Sequence, residues 1–110
     1  MEPNLLAKTC AEILDEKKGV DIRILSVGGL TIVADYFVIV TGTSDTHTNA
    51  LSEAVQSELA KRGIEPRHIE GRASGWVILD YASVLVHVFG RTEREYYNLE
   101  RLFPDAKSPE

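Results

Sequence analysis

The sequence feature that most constrains the fold is the apolar run Tyr36-Phe-Val-Ile-Val-Thr41, which ends at Gly42. The run is dense in aromatic and β-branched residues and has no polar alternation, which is typical of a strand buried on both faces. Such a strand needs other strands beside it and helices packed against the sheet. The run therefore predicts an interior strand of a layered fold.

Two helices are predicted on either side of this strand in the chain. Asn4 is expected to cap the first helix, in which Leu6, Cys10, Ile13 and Leu14 recur at helical spacing. The second helix is expected from about Asp45 to Arg62, with Gly63 as its C-terminal stop. Its predicted inner positions are Leu51, Ala54, Val55 and Leu59, with Ala50 beside them.

Four further strands are predicted from alternating apolar residues and turn residues. The first is Asp21 to Val27, which ends at Gly28-Gly29. The others are Arg67 to Glu70, Trp76 to Asp80 and Val84 to Phe89. Connections of hairpin length separate these three, so they are expected to form an antiparallel meander.

The tail from Thr92 to Phe103 predicts a last helix, which Pro104 ends. Tyr96, Leu99 and Phe103 lie at helical spacing within it. No repeat or linker interrupts the 110 residues, so one domain over residues 1–110 is expected. Together the elements predict an α/β (α+β) fold with a mixed five-stranded sheet flanked by helices.

Charge and cysteine content restrict the function. Twelve Lys and Arg against 17 Asp and Glu give a net charge of −5, which argues against direct, sequence-specific nucleic-acid binding. Cys10 is the only cysteine, so it is expected to be an apolar filler in a reducing compartment. No apolar run approaches the roughly 20 residues that cross a bilayer, and no leader is recognisable, so a cytoplasmic location without a membrane partner is expected.

The turn from Gly42 to Asp45 leaves one enzymatic alternative open. It resembles the Gly-Ser turn of nucleotidyltransferases, and backbone N–H groups there can hold an anion. Those enzymes need clustered carboxylates for Mg²⁺, and the closely spaced acidic pair is missing here. Ser44 or Asp45 is therefore expected to cap the helix. Spacing alone gives little support to a metal held by Asp35, Asp45 and Asp80.

The histidines and the cysteine offer no convincing catalytic group. His47, His68 and His87 show no metal-ligand spacing such as i, i+4. His87 interrupts an apolar strand, where a histidine is expected to be a core side chain with a satisfied hydrogen bond. The sequence thus predicts no catalytic residue, no cofactor and no metal.

Trp76, Ile78 and Asp80 share one face of a predicted strand, with Glu70 on the preceding strand and Tyr81 just beyond the end. Two interpretations of Trp76 stay open. It is either a core aromatic or the anchor of a binding surface, in which the ring supplies buried area and neighbouring carboxylates select a basic partner.

Seven segments form a series that covers the chain from about Leu5 to Phe103. They are Leu14-Asp-Glu-Lys-Lys18, Ala34-Asp-Tyr-Phe-Val-Ile39, Thr41-Gly-Thr-Ser44, Ile69-Glu-Gly71, Gly75-Trp-Val-Ile-Leu-Asp-Tyr81, Val86-His-Val-Phe89 and Arg94-Glu-Tyr-Tyr-Asn-Leu-Glu-Arg-Leu102. In this order the series resembles the Iojap-related ribosomal silencing factor family. Seven segments in register make the resemblance specific.

The resemblance implies a non-enzymatic factor that acts when nutrients are short. It would bind the large ribosomal subunit through ribosomal protein fourteen at the intersubunit face and sterically block association with the small subunit, which represses translation. The resemblance further implies a homodimer when free, and a sheet like that of nucleotidyltransferases without their catalytic acids. Mapped onto this sequence, the family's partner-binding surface falls at Glu70, Trp76, Asp80 and Tyr81.

The acidic composition agrees with this hypothesis, because ribosomal proteins are basic and opposite charge speeds encounter. Two other hypotheses remain at this point. One is a nucleotide-binding or nucleotidyltransferase-like enzyme that uses the turn at Gly42, and the other is a dimeric adaptor for a different basic partner.

Overall fold

The structure, a computed structural model, describes residues 1–71, 74–104 and 106. In chain order the elements are α1 (Pro3–Glu16), β1 (Val20–Ser26), β2 (Tyr36–Gly42), α2 (Asp45–Ala60), β3 (His68–Glu70), β4 (Trp76–Asp80), β5 (Val84–Gly90), α3 (Arg91–Tyr97) and a 3₁₀ turn (Leu99–Leu102). The strands form one sheet in the order β1-β2-β5-β4-β3. None of the helices in these ranges is long and apolar enough to cross a membrane.

The parallel pair of β2 and β5 forms the middle of the sheet, in a register that runs from Tyr36 opposite Val84 to Gly42 opposite Gly90. The pairs of β1 with β2, β4 with β5 and β3 with β4 are antiparallel. Nearly every residue of β2 and β5 is buried. The predicted mixed sheet, its buried interior strand and its meander are therefore confirmed.

Helices α1 and α2 cover one face of the sheet, which we call the helical face. Their inner residues pack on the side chains that β2, β4 and β5 direct to this face. Cys10 is fully buried in this layer, and burial raises the pKa of its thiol to about 12. The thiol therefore stays neutral and fills space, as predicted.

The opposite face, which we call the tail face, is partly covered by the C-terminal segment. Leu99 and Phe103 pack there on Phe37, and the rings of Phe37 and Phe103 meet edge to face at 5.3 Å. Arg94 holds the segment in place. Its guanidinium donates hydrogen bonds to the Asp21 carbonyl and the Thr41 hydroxyl, both at 2.9 Å, and to the carboxylate of Glu100.

Two details of the predicted helices are wrong, namely the N-cap of α1 and one inner position of α2. Asn4 lies inside α1, and Glu2 is the N-cap residue, because Pro3 has the fixed φ and the missing N–H that suit a first helical turn. The end of α2 is as expected, since Gly63 has a φ of 77° and terminates the helix. Ala50 is exposed rather than packed inside.

The predicted last helix is interrupted at Asn98, which adopts a left-handed φ of 43°. Asparagine is one of the few residues that tolerate this conformation. The break changes the direction of the chain, so that Leu99 reaches the core while Tyr96 is 79% exposed. The prediction that Tyr96 shares an inner face with Leu99 and Phe103 is therefore wrong.

Replacement of Leu51 by alanine tests the packing of the helical face. Leu51 is fully buried, so Leu51→Ala should lower the free energy of unfolding by about 2 to 5 kcal/mol in urea titrations. Leu5 is 56% exposed on α1. The control Leu5→Ala should therefore change the free energy of unfolding by no more than about 0.5 kcal/mol. Equal losses in the two variants would contradict the assignment of these faces.

Candidate functional site

The tail face is half-exposed at β4 and β3, beyond the part covered by the C-terminal segment. Along β4, Trp76, Ile78 and Asp80 are partly exposed, whereas the residues between them are buried. Register places Glu70 opposite Ile78 and Ile78 opposite His87, and paired residues direct their side chains to the same face. Glu70, Trp76 and Asp80 therefore share one surface, and alternation had predicted this for Trp76 and Asp80.

Trp76 is partly a core residue and partly a surface residue. Its ring stacks on the buried ring of Phe89 at 4.9 Å between centroids, and Tyr97 lies on it at 4.7 Å. Its indole N–H donates a hydrogen bond to Nδ1 of His87 at 3.1 Å. The two interpretations of Trp76 are thus compatible, because the core fixes a ring that is still accessible.

His87 is 3% exposed and lies beneath Trp76. Since an indole N–H can only donate, Nδ1 of His87 must be the acceptor, and the ring proton is on Nε2. Burial lowers the pKa of His87 from 6.5 to about 4, so the ring is neutral at pH 7. Nε2 has no hydrogen-bond partner among the described residues. The prediction of a core histidine is confirmed, with one ring nitrogen satisfied.

The two carboxylates of this surface differ in their surroundings. Glu70 has 64% of its side chain exposed and lies 3.7 Å from Nε2 of His68. Asp80 is 21% exposed, and its Oδ1 accepts hydrogen bonds from Nε of Arg67 at 3.0 Å and from the Ala82 N–H at 2.8 Å. Asp80 therefore stabilises the turn after β4, whereas Glu70 is the more available negative charge.

Tyr81 lies apart from this surface. It is 7% exposed and packs in the core of the helical face, because alternation directs the residue after Asp80 to the opposite side of the sheet. Burial, followed by the nearby Cys10 and Glu65, raises the pKa of the Tyr81 phenol. Of the four residues mapped to the partner-binding surface, the structure brings together Glu70, Trp76 and Asp80.

The sequence patterns did not predict that two accessible aromatic residues continue the surface from Trp76. Tyr97 is 49% exposed and Tyr96 is 79% exposed, and their rings meet edge to face at 5.1 Å. The adjacency of two tyrosines was the available signal. Consecutive helical residues point about 100° apart, so a short surface helix seldom buries both.

The turn from Gly42 to Asp45 leads directly into α2 and caps its N-terminus. Oγ of Ser44 accepts a hydrogen bond from the His47 N–H at 3.1 Å, as predicted for a cap. The ring of His47 accepts from the Thr43 N–H and contacts the Lys17 carbonyl, both at 2.9 Å. These contacts give the turn a structural role.

The carboxylates proposed for a metal are not brought together. Asp35 immediately precedes β2, whereas Asp45 begins α2 beyond the other end of that strand, so these two carboxylates lie at opposite edges of the sheet. Over the described ranges, no group of three or more His, Cys, Asp or Glu side chains could hold a metal ion.

Comparisons with known proteins agree on one family. A sequence profile described as "Ribosomal silencing factor during starvation" matches residues 1–110. The chain belongs to this family, RsfS. Ribosomal silencing factor RsfS of Bacillus subtilis is 38% identical over 107 residues, which cover 96% of this chain and 91% of that protein. The chloroplastic Iojap protein of Zea mays is 32% identical over 101 residues, 92% of this chain and 42% of that protein.

Solved structures confirm the fold. A crystal structure of a protein from Chromobacterium violaceum has a TM-score of 0.91 and 32% identity, and the match covers 100% of this chain and 92% of that one. A crystal structure from Bacillus halodurans has a TM-score of 0.80 and 32% identity, over 93% and 95% of the two chains. The resemblance to the RsfS family and the α+β fold with a mixed sheet are thus both confirmed. The RsfS relatives are named as silencing factors rather than enzymes.

Acidification should destabilise the protein through His87. Because its pKa is about 4 when folded and 6.5 ordinarily, the unfolded chain takes up a proton first as the pH falls. The stabilising contribution is complete above pH 6.5 and is lost as the pH falls through 4. In total, the lowered pKa of His87 contributes about 3 kcal/mol to the free energy of unfolding.

Urea unfolding at pH 7 and pH 4.5 measures this effect. His87→Asn keeps an acceptor for the Trp76 indole but has no titrating ring. Between pH 7 and pH 4.5, its free energy of unfolding should therefore fall by about 2 to 3 kcal/mol less than that of the wild type. Carboxylates titrate in both proteins and cancel in the comparison. The same loss in both would contradict a buried neutral His87.

Proposed function

We propose that this chain is a ribosomal silencing factor that binds the large ribosomal subunit and represses translation. The observation that carries the proposal is the accessible Trp76 ring, fixed by Phe89 and His87 beside the available carboxylate of Glu70. A rigid aromatic anchor with a charged neighbour is typical of a binding hot spot. Membership of the RsfS family supports a ribosome as the target.

The proposed contact on the large subunit is ribosomal protein fourteen at the intersubunit face. The net charge of −5 favours a basic partner, because complementary charge accelerates encounter and fixes orientation. Glu70 and Asp80 would select the basic partner, and Trp76 would supply buried area. Tyr81 would act indirectly, through the packing beneath β4.

Repression needs no chemical step in this proposal. A contact of about 800 Å² per partner is enough for specific binding. The Cα atoms span 34 × 34 × 23 Å, so a protein bound at the intersubunit face would hold the two subunits too far apart for direct contact. The protein would therefore block subunit association sterically. We expect it to do so in the cytoplasm when nutrients are short.

The free protein is also proposed to form a homodimer, as the family resemblance implies. Exposed apolar side chains in the loop between β1 and β2, at Leu30, Ile32 and Val33, are compatible with such an association. Sedimentation velocity over a range of concentrations measures the dimer directly.

Substitutions at the exposed surface test the proposed large-subunit contact. Trp76→Ala and Glu70→Lys should each weaken binding to isolated large subunits at least tenfold, because one removes the anchor ring and the other reverses the available charge. Cosedimentation with purified subunits measures the binding. Glu70→Lys should keep the wild-type melting temperature, since this side chain is exposed.

Glu12→Lys is the matched control, because it makes the same charge change at an exposed position of α1, on the helical face. It should bind like wild type. If Glu12→Lys and Glu70→Lys weaken binding equally, net charge rather than this surface is responsible. The enzymatic alternative predicts instead that Mg²⁺ with a nucleoside triphosphate raises the melting temperature.

A further inference from the structure

Four aromatic rings form a continuous row from the core to solvent. Phe89 is fully buried, Trp76 stacks on it, Tyr97 lies 4.7 Å from Trp76, and Tyr96 lies 5.1 Å from Tyr97. The exposed fraction rises along the row to 79% at Tyr96. The accessible surface around Trp76 therefore does not end at β4 but continues onto α3.

Helix α3 is held firmly against the sheet, although it is short. Gly90, which precedes it, pairs with Gly42 and donates a backbone hydrogen bond to the Gly75 carbonyl at 3.0 Å. Arg94, in the middle of α3, is 9% exposed and is bonded to Thr41 and Glu100. The tyrosines are thus placed in advance, so less conformational entropy is lost when a partner binds.

The charges near the tyrosines favour a basic partner. The carboxyl group of Glu93 lies against Gly75, the residue before Trp76, and Glu95 is exposed on the same helix. Arg91, at the start of α3, lines a cleft together with Asp21 and Glu95. The Glu93 carboxyl group therefore places negative charge beside the aromatic row at Trp76.

We propose that Tyr96 and Tyr97 extend the Trp76 surface and bind arginine or lysine side chains of the basic ribosomal protein through their ring faces. The inference rests on the proposed function and adds α3 to the contact. Tyrosine rings attract cations through their quadrupole, and this attraction strengthens when a partner excludes water. Tyr97 is 49% exposed and Tyr96 is 79% exposed, so a partner can reach both rings.

Binding of tyrosine variants to isolated large subunits tests the proposal. Tyr97→Ala should weaken binding at least tenfold and Tyr96→Ala at least threefold, whereas Tyr96→Phe and Tyr97→Phe should remain within twofold of wild type, because the ring is retained. Leu5→Ala, which also removes an exposed side chain but on α1, should bind like wild type.

Fluorescence separates contact from positioning, because Trp76 is the only tryptophan. Tyr96→Ala should leave the Trp76 emission maximum unchanged, since Tyr96 touches Tyr97 rather than Trp76 in the row. Weaker binding with an unchanged spectrum would support direct contact by Tyr96. Weaker binding with a shifted spectrum would overturn it.

The outcomes for this inference and for the proposed function are distinct. If both alanine variants bind within twofold of wild type while Trp76→Ala does not bind, the role of α3 is refuted and the proposed function stands. Failure of the phenylalanine variants to bind better than the alanine variants would refute recognition through the ring. Absence of wild-type binding to large subunits would overturn both proposals.

Discussion

The parallel pairing of β2 with β5 is the constraint on which the rest of the structure depends. It buries two apolar strands at the centre of the sheet, so both faces must be covered. Helices α1 and α2 cover one face. The C-terminal segment covers part of the other, and Arg94 fixes it by hydrogen bonds to the Asp21 carbonyl and the Thr41 hydroxyl of the neighbouring strands. The half-exposed surface at β4 is a consequence of this unequal cover.

The proposed partner binding depends on the part of the tail face that the C-terminal segment leaves exposed, where Trp76 lies. A fully exposed tryptophan would lose side-chain freedom on binding, and a fully buried one could not meet a partner. Trp76 is partly exposed, and its ring is already oriented because Phe89 stacks beneath it and His87 accepts a hydrogen bond from its indole N–H. The buried, neutral His87 is thus explained as a hydrogen-bond acceptor that orients an accessible ring, and no catalytic role is needed to account for it.

Sequence patterns predicted the helices, the buried strand and the meander, because periodicity reports which side of an element faces the core. The same alternation correctly placed Trp76 and Asp80 on one surface. Periodicity cannot choose partners that are distant in sequence, so the parallel pairing of β2 with β5 was beyond its reach. It also overestimated the last helix, since the left-handed Asn98 interrupts the spacing, and with it the exposed positions of Tyr96 and Tyr97 were missed.

The most direct test of the central claim is light scattering during the joining of isolated large and small ribosomal subunits, with the protein added over a range of concentrations. Joined ribosomes should decrease as the protein saturates the large subunits, whereas preincubation with small subunits alone should have no such effect. Unchanged joining at concentrations that saturate the large subunit would contradict a silencing factor that acts by its volume at the intersubunit face.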